Sequence, residues 1–156
     1  MTKVSGSLAF ATIAALVLSM TAGTVPVSAQ SGRSGPLHIL KNCGSYSFLA
    51  GGYCTIAKSD LPEIPAGSIV YYAQAFGTTH SGWIDSNVVV DAGNGDKAIG
   101  HCTVDFTITT PGVCTFQDGT GQLAGFTARV SVSTSTNSSG DYTWDGAYSF
   151  NPMPPK

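Results

Sequence analysis

The sequence predicts an all-β domain, an antiparallel up-and-down β-barrel of about eight strands, and three observations lead to that prediction. Apolar and polar residues alternate from about Ile69 to Phe150, which is typical of strands with one face buried. Glycine- and asparagine-rich turns separate the alternating stretches. Charged residues are scarce, so a barrel, which leaves no open sheet edge to protect, is favoured over the alternative, a β-sandwich.

The N-terminal residues 1–29 are typical of a secretory signal peptide. Lys3 precedes an apolar run, Leu8–Met20, and the segment ends in the small residues Val27-Ser28-Ala29. The apolar run is shorter than the roughly 20 residues that a membrane-spanning helix needs. We therefore expect cleavage after Ala29 and a secreted or periplasmic mature chain that has no membrane attachment after cleavage.

The mature chain is expected to form one domain. Residues 30–42 are predicted to be a flexible N-terminal segment, residues 43–150 the single barrel domain and residues 151–156 a flexible tail. The first part of the domain, up to Gly67, is expected to be an irregular lead-in, tied by a disulfide, that contributes one or two short strands. The later part supplies six clearer strands.

Those six strands are separated by turn sequences. Ile69–Ala75 and Ile84–Asp91 come first, and the second of them ends in three consecutive valines. The later strands alternate most strictly, with a predicted inward set of Val104, Phe106, Ile108, Phe126, Ala128, Val130, Val132, Tyr142, Trp144, Tyr148 and Phe150. Predicted turns lie at residues 77–79, 92–96, 118–121 and 137–141.

Four cysteines, Cys43, Cys54, Cys102 and Cys114, all follow the signal peptide. An even number in an exported chain indicates two disulfides, for which three connectivities are possible. We favour the local pairs Cys43–Cys54 and Cys102–Cys114. A tight hairpin turn at residues 109–112 would place Cys102 on the order of 17 Å from Cys114 at strand rise, so the second pair requires a wider loop centred near Ile108.

Charge and motifs disfavour several classes of partner. The mature chain has six basic against nine acidic residues, which gives no basic face for nucleic acid and no cationic cluster for an anionic membrane. Its three histidines and four cysteines lack metal-ligand spacing. The turn Gly119-Thr120-Gly121 lacks the lysine of a P-loop. We therefore expect no metal and no cofactor, and the sequence leaves the oligomeric state open.

The C-terminal part of the chain resembles a known barrel family. The segment QDGTGQLAGFTARVSV at residues 117–132, followed by YTWDGAYSF at residues 142–150, is similar to the C-terminal half of allene-oxide-cyclase-like and dirigent-like β-barrels. Those families have a glycine-rich turn of the form GGTGxF, and here Leu123 stands at the usual phenylalanine position. The resemblance covers about a third of the chain. It implies an eight-stranded barrel with an apolar interior and carries over no catalytic residue.

Aromatic residues are the most informative candidates for a functional site. They could simply fill the interior, because an eight-stranded barrel is just wide enough to be packed by its own side chains, or they could line a pocket for one small apolar ligand. The residues predicted for such a pocket are Tyr71, Phe106, Phe116, Phe126, Trp144 and Tyr148.

A pair of acidic residues is a second candidate for a functional site. Asp85 and Asp91 lie six residues apart on one predicted strand and would share a face. Paired carboxylates can perform acid–base chemistry, but acidic residues at strand ends are more often solvated.

Three functions fit the sequence. The first is a secreted, disulfide-stabilised barrel that binds a small hydrophobic molecule. The second is a cofactor-free isomerase or cyclase of the allene-oxide-cyclase type, which holds a reactive substrate in a productive conformation. The third is a cell-envelope structural or interaction protein with a fully packed barrel. The first two require an interior cavity of several hundred cubic ångströms, and the second also requires a polar group with a perturbed pKa inside it.

Overall fold

The computed structural model describes residues 32–108, 112–135 and 140–151, and these residues form a closed barrel of eight antiparallel strands. The expected signal peptide and residues 152–156 of the expected tail lie outside the described residues. The strands are β1 (Ser34–Asn42), β2 (Tyr53–Ser59), β3 (Ile69–Tyr72), β4 (Trp83–Gly93), β5 (Asp96–Asp105), β6 (Gly112–Thr120), β7 (Phe126–Thr134) and β8 (Asp141–Phe150). Each strand pairs with its sequence neighbours and β1 pairs with β8, which confirms the predicted barrel.

Along the strands, the apolar residues of the alternating sequence face the barrel interior and the polar residues between them face outward. In β7, Phe126, Val130 and Val132 are buried, whereas Arg129 and Ser131 between them are exposed. The remaining strands follow the same rule, because successive side chains of a strand point to opposite faces of the sheet. The inward apolar residues of all strands therefore form one continuous core inside the barrel.

The first strand is where the structure departs most from the sequence analysis. Residues 34–42 were expected to be flexible, but they form β1, which pairs with β8 along its whole length and closes the barrel. Leu37, Ile39 and Lys41 are its inward residues. Only two of these three are apolar, so the alternation in this stretch is too short and too mixed to indicate a strand without its partner.

Both favoured disulfides are present. Cys43 and Cys54 join the end of β1 to the start of β2, with a Cα–Cα distance of 4.4 Å. Cys102 and Cys114 are direct cross-strand partners in β5 and β6, 4.1 Å apart between Cα atoms. As the second disulfide requires, six residues separate these two strands, because β5 ends at Asp105 and β6 begins at Gly112.

The glycine-rich sequence at residues 118–121 forms the end of a strand rather than a turn. β6 continues to Thr120, where it still pairs with Lys97 of β5, and the chain turns in a short 3-10 helix at Gly121–Leu123. Gly119 is required there by close approach, since a Cβ at that position would lie 2.1 Å from the carbonyl oxygen of Leu123. The motif that carries the family resemblance thus has a packing role in this barrel.

The two ends of the barrel differ. At one end, the β2–β3 connection and the 3-10 helix fold over the opening and bury Leu61, Ile64 and Leu123. Phe126 and Phe150 pack beneath them with ring centroids 5.4 Å apart. At the other end lie the connections β1–β2, β3–β4, β5–β6 and β7–β8. We call the first the closed end and the second the open end.

Candidate functional site

A cavity of about 400 Å³ occupies the open end of the barrel. Its walls come from the inward residues of several strands and from the loops that surround the opening. The residues that line it are Lys41, Cys43, Tyr46, Phe48, Cys54, Tyr72, Phe76, Ile84, Val104, Phe106, Val132, Gly140 and Tyr142. Apolar and aromatic side chains dominate this set, and none of the lining residues is an aspartate or glutamate.

The cavity lies above a layer of packed aromatic side chains in the barrel interior. Below the cavity, Phe116 packs against Trp144 with ring centroids 5.4 Å apart and against Phe126 at 6.1 Å. At the cavity level, the valines Val104 and Val132 stand among larger residues such as Tyr72 and Tyr142 and fill less space than an aromatic ring would. An eight-stranded barrel is filled only where its inward side chains are large enough to meet, so space remains at the open end.

Aromatic rings connect the loops around the opening. Phe76 lies 5.5 Å from Phe48 and 5.7 Å from Phe106 between ring centroids, and Phe106 lies 5.8 Å from Tyr142. Phe48 is 60 % exposed. These edge-to-face and tilted contacts are the favoured geometries of aromatic pairs, and they give the cavity an apolar rim that is open to solvent.

Lys41 is the charged residue in the cavity wall. It occupies the inward parity of β1 after Leu37 and Ile39 and is only 3 % exposed. Its Nζ donates a hydrogen bond of 2.5 Å to the phenol oxygen of Tyr72, and it lies 4.3 Å from the ring centroid of Trp144. Among the described residues no carboxylate pairs with this amine. Burial lowers the pKa of Lys41 to about 7, because a low-dielectric site disfavours the charged form.

Two tyrosines lie against this lysine, and a third packs against one of them. Nζ of Lys41 lies 5.2 Å from the ring centroid of Tyr72 and 5.9 Å from that of Tyr142, and Tyr46 packs edge-on against Tyr72 at 5.5 Å. Burial raises the pKa of all three phenols above the usual value, so they stay protonated across the physiological range. Within the described part of the chain, the buried phenol oxygen of Tyr46 has no hydrogen-bond partner.

The six aromatic residues predicted for the pocket are distributed over different parts of the barrel. Phe106 lines the cavity. Trp144 lies beneath Lys41, and Phe116 and Phe126 fill the packed interior next to it.

The remaining two predicted pocket residues lie farther from the cavity. Tyr148 stacks on Phe126 towards the closed end, at a centroid distance of 6.4 Å. Tyr71 is 43 % exposed, because its position in β3 points its side chain to the outer face of the barrel. The structure thus places one of the six in the cavity wall.

Sequence reasoning missed most of the residues that form this site. Tyr72 was available, since it follows the inward Val70 by two positions in a predicted strand. Lys41 could have been found only by extending the alternation of Leu37 and Ile39 by one step. Tyr46 and Phe76 lie in connections, where no periodicity indicates which side chains turn inward.

The acidic pair considered in the sequence lies outside the barrel. Asp85 accepts a hydrogen bond of 2.7 Å from Nε2 of His101, and Asp91 forms an ion pair with Lys97. Hydrogen bonds from Lys97 and from the backbone of Gly93 hold the pKa of Asp91 below its usual value. Each carboxylate thus has its own partner on the surface, away from the cavity.

The comparisons with known proteins return no relative. No protein-family model, no curated protein and no solved structure matches this chain. In the described part of the chain, no three histidine, cysteine or acidic side chains are grouped so that they could hold a metal ion. No helix among the same residues has the length and apolar character needed to cross a membrane.

Proposed function

We propose that this protein binds a small hydrophobic molecule in the cavity at the open end of the barrel. The observation that carries the proposal is the cavity itself: about 400 Å³ of space lined mainly by aromatic and aliphatic side chains. Ligand pockets typically have volumes of roughly 300–1,000 Å³, an apolar lining and a few polar groups. Lys41 and its tyrosines are those polar groups.

The cavity favours ligand binding over a barrel whose interior is fully packed. A packed structural barrel would need large side chains at the level where Val104 and Val132 stand. Instead, these two positions hold valines, and the cavity remains above the packed pair Phe116 and Trp144. Among the described residues the rim is open, so a ligand could enter without unfolding any strand.

The disulfides agree with a secreted or periplasmic site of action. Both bridges are closed, and among the described residues no cysteine is free. Disulfides persist in oxidising compartments and are rare in the cytosol. We therefore propose that the ligand is met outside the cytoplasm.

The test is binding of the neutral lipophilic dye N-phenyl-1-naphthylamine to the purified mature protein, followed by fluorescence. We expect saturable binding by the wild type. Val132→Phe, which fills the cavity, is expected to weaken binding roughly tenfold or more, since a factor of ten corresponds to only ~1.4 kcal/mol.

The matched control is Tyr71→Ala, which removes an exposed aromatic ring from the outer face of the barrel. It should leave the dye affinity unchanged. The proposal is wrong if the wild type shows no saturable fluorescence, or if Val132→Phe and the wild type bind the dye equally well.

One observation also supports a second candidate, a cofactor-independent isomerase or cyclase of the allene-oxide-cyclase type. Such an enzyme needs a polar group with a perturbed pKa inside its cavity, and Lys41, with its pKa lowered to about 7, is such a group. A neutral amine at this site could act as a general base. This candidate is supported if the wild type, and not Lys41→Met, accelerates α-proton exchange of 2-tetralone in D₂O, as followed by proton NMR.

A further inference from the structure

We infer that the ligand of this cavity is an amphiphile with a carboxylate head group, and that Lys41 binds the head group while the aromatic rim surrounds the apolar part. The inference rests on the proposed function and deepens it. It starts from the composition of the cavity wall, in which one basic residue stands among apolar side chains and phenols.

Lys41 has an unused capacity for binding. An ammonium group has three hydrogen-bond donors and no acceptor, and in the described residues Nζ of Lys41 uses one donor, towards Tyr72. Its other neighbours are the ring faces of Trp144, Tyr72 and Tyr142, with centroids at 4.3, 5.2 and 5.9 Å. Ring faces attract a cation but do not replace the hydrogen bonds that the ammonium loses on leaving water. A carboxylate would accept those hydrogen bonds.

The phenols add donors of the same kind. The oxygen of Tyr72 accepts the hydrogen bond from Lys41, which leaves its own O–H proton free to be donated. The phenol of Tyr46 is buried without a partner among the described residues. Because burial raises the pKa of Tyr46, Tyr72 and Tyr142, these groups remain donors at neutral pH. The cavity thus offers an anion one charged and several neutral donors.

The charge of the cavity selects against other head groups. None of the residues that line it is acidic, so a cationic ligand would have no ionic partner and would be repelled by Lys41. A neutral apolar ligand would leave the buried ammonium with Tyr72 as its one acceptor among the described residues, and leaving a buried donor unsatisfied costs about 1–3 kcal/mol. Of these three kinds of head group, an anion such as a carboxylate is therefore the one that the wall complements best.

The experiment compares 2-naphthoic acid with the neutral 2-naphthalenemethanol by isothermal titration calorimetry at pH 7. The two probes share the ring system and differ in the head group. We expect the wild type to bind the acid about tenfold or more tightly than the alcohol, as for a hydrogen bond to a charged group. Lys41→Met is expected to bind the acid no more tightly than the alcohol, and measurable binding of the alcohol shows that the cavity is intact.

Lys58→Met is the matched control, because Lys58 is an exposed lysine of β2. It should preserve the preference for the acid. A second measurement is the proton balance at pH 8 from titrations in phosphate and in Tris. Since Lys41 is then mostly neutral, binding of the acid should take up close to one proton, and binding of the alcohol none. Among the described residues, Tyr72 and Tyr142 are the other titratable groups against Lys41, and Tyr46 packs against Tyr72. All three stay protonated at this pH.

The outcomes separate the two proposals. If neither probe binds, the proposed ligand-binding function is overturned together with the inference. If both probes bind the wild type with equal affinity, only the head-group inference is overturned. It is also overturned if Lys41→Met retains the preference for the acid, because the preference would then arise from another group.

Discussion

At Lys41, the alternation of β1 places an amine where the barrel interior otherwise holds apolar side chains. Its neighbours in the same parity, Leu37 and Ile39, are buried in the core. Burial lowers the pKa of this amine to about 7, whereas an unfolded chain would titrate near the usual value of a lysine. The unfolded state therefore binds more protons between these two values, and the folded state gains stability as the pH rises through that range.

Replacing this lysine should remove the pH dependence. We expect the free energy of unfolding of the wild type to increase from pH 7 towards pH 10 by several kcal/mol, since one pKa unit corresponds to about 1.4 kcal/mol. Lys41→Met should show no such increase and should be more stable than the wild type at pH 6, because an unpaired buried charge is gone. Urea denaturation at pH 6, 8 and 9.5 measures this difference.

The comparison of the wild type with Lys41→Met isolates the contribution of Lys41 to the pH dependence of stability. His38, whose pKa is raised by its hydrogen bond to Asp145, loses its stabilising effect as the pH rises, but it does so equally in both. Above pH 10 the raised pKa of Tyr72 acts in the opposite direction, so the measurements stay below that value. Parallel stability curves for the wild type and Lys41→Met would contradict this account of the buried amine.

Among the structural elements, the two disulfides have different relations to the cavity. Cys43 and Cys54 line it and fix the connection that carries Tyr46 and Phe48. The second bridge, Cys102–Cys114, joins β5 to β6 inside the barrel and does not line the cavity. Both close loops of similar length, with sequence separations of 11 and 12.

Removing each disulfide should therefore give similar losses of stability and different losses of binding. The chain-entropy model expects each bridge to contribute about 3 kcal/mol, so the double alanine variants at Cys43/Cys54 and at Cys102/Cys114 should both unfold at lower urea concentration. Only the first should bind N-phenyl-1-naphthylamine more weakly, because Tyr46 and Phe48 lose their fixed position. Equal dye affinities in the two variants would show that this connection does not shape the cavity.

A strand could be predicted from the sequence when its own apolar–polar alternation is long enough, and a disulfide when it closes a short loop. Phe126–Val132 alternates over enough residues to define both the strand and its inward face. β1 has only Leu37 and Ile39 before a lysine, so its status as a strand depends on pairing with β8, which is distant in the chain. The local disulfide pairs could be favoured from sequence because each closes a short loop. That Cys102 and Cys114 are direct cross-strand partners in β5 and β6 became clear only from the structure.

For the molecule as a whole, the arrangement that sequence could not predict is the asymmetry of the barrel. Phe116, Phe126 and Phe150 pack together towards the closed end. At the open end, valines such as Val104 and Val132 stand beside larger residues, and a cavity remains. Which residues share a level is set by the register between strands, and the register is not visible in any one strand. The alternation predicted the barrel, but the position of the cavity and the lysine in its wall came only from the closed structure.

The most direct measurement is a titration of the ¹⁵N-labelled mature protein with 2-naphthoic acid, followed by backbone amide chemical shifts. We expect saturable shifts at the open end, around Lys41, Tyr72 and Phe106, and no shifts around Leu61 and Leu123 at the closed end. Shifts that are absent, do not saturate or cluster on the closed end or the outer face would contradict the claim that the open end of this barrel is a ligand site.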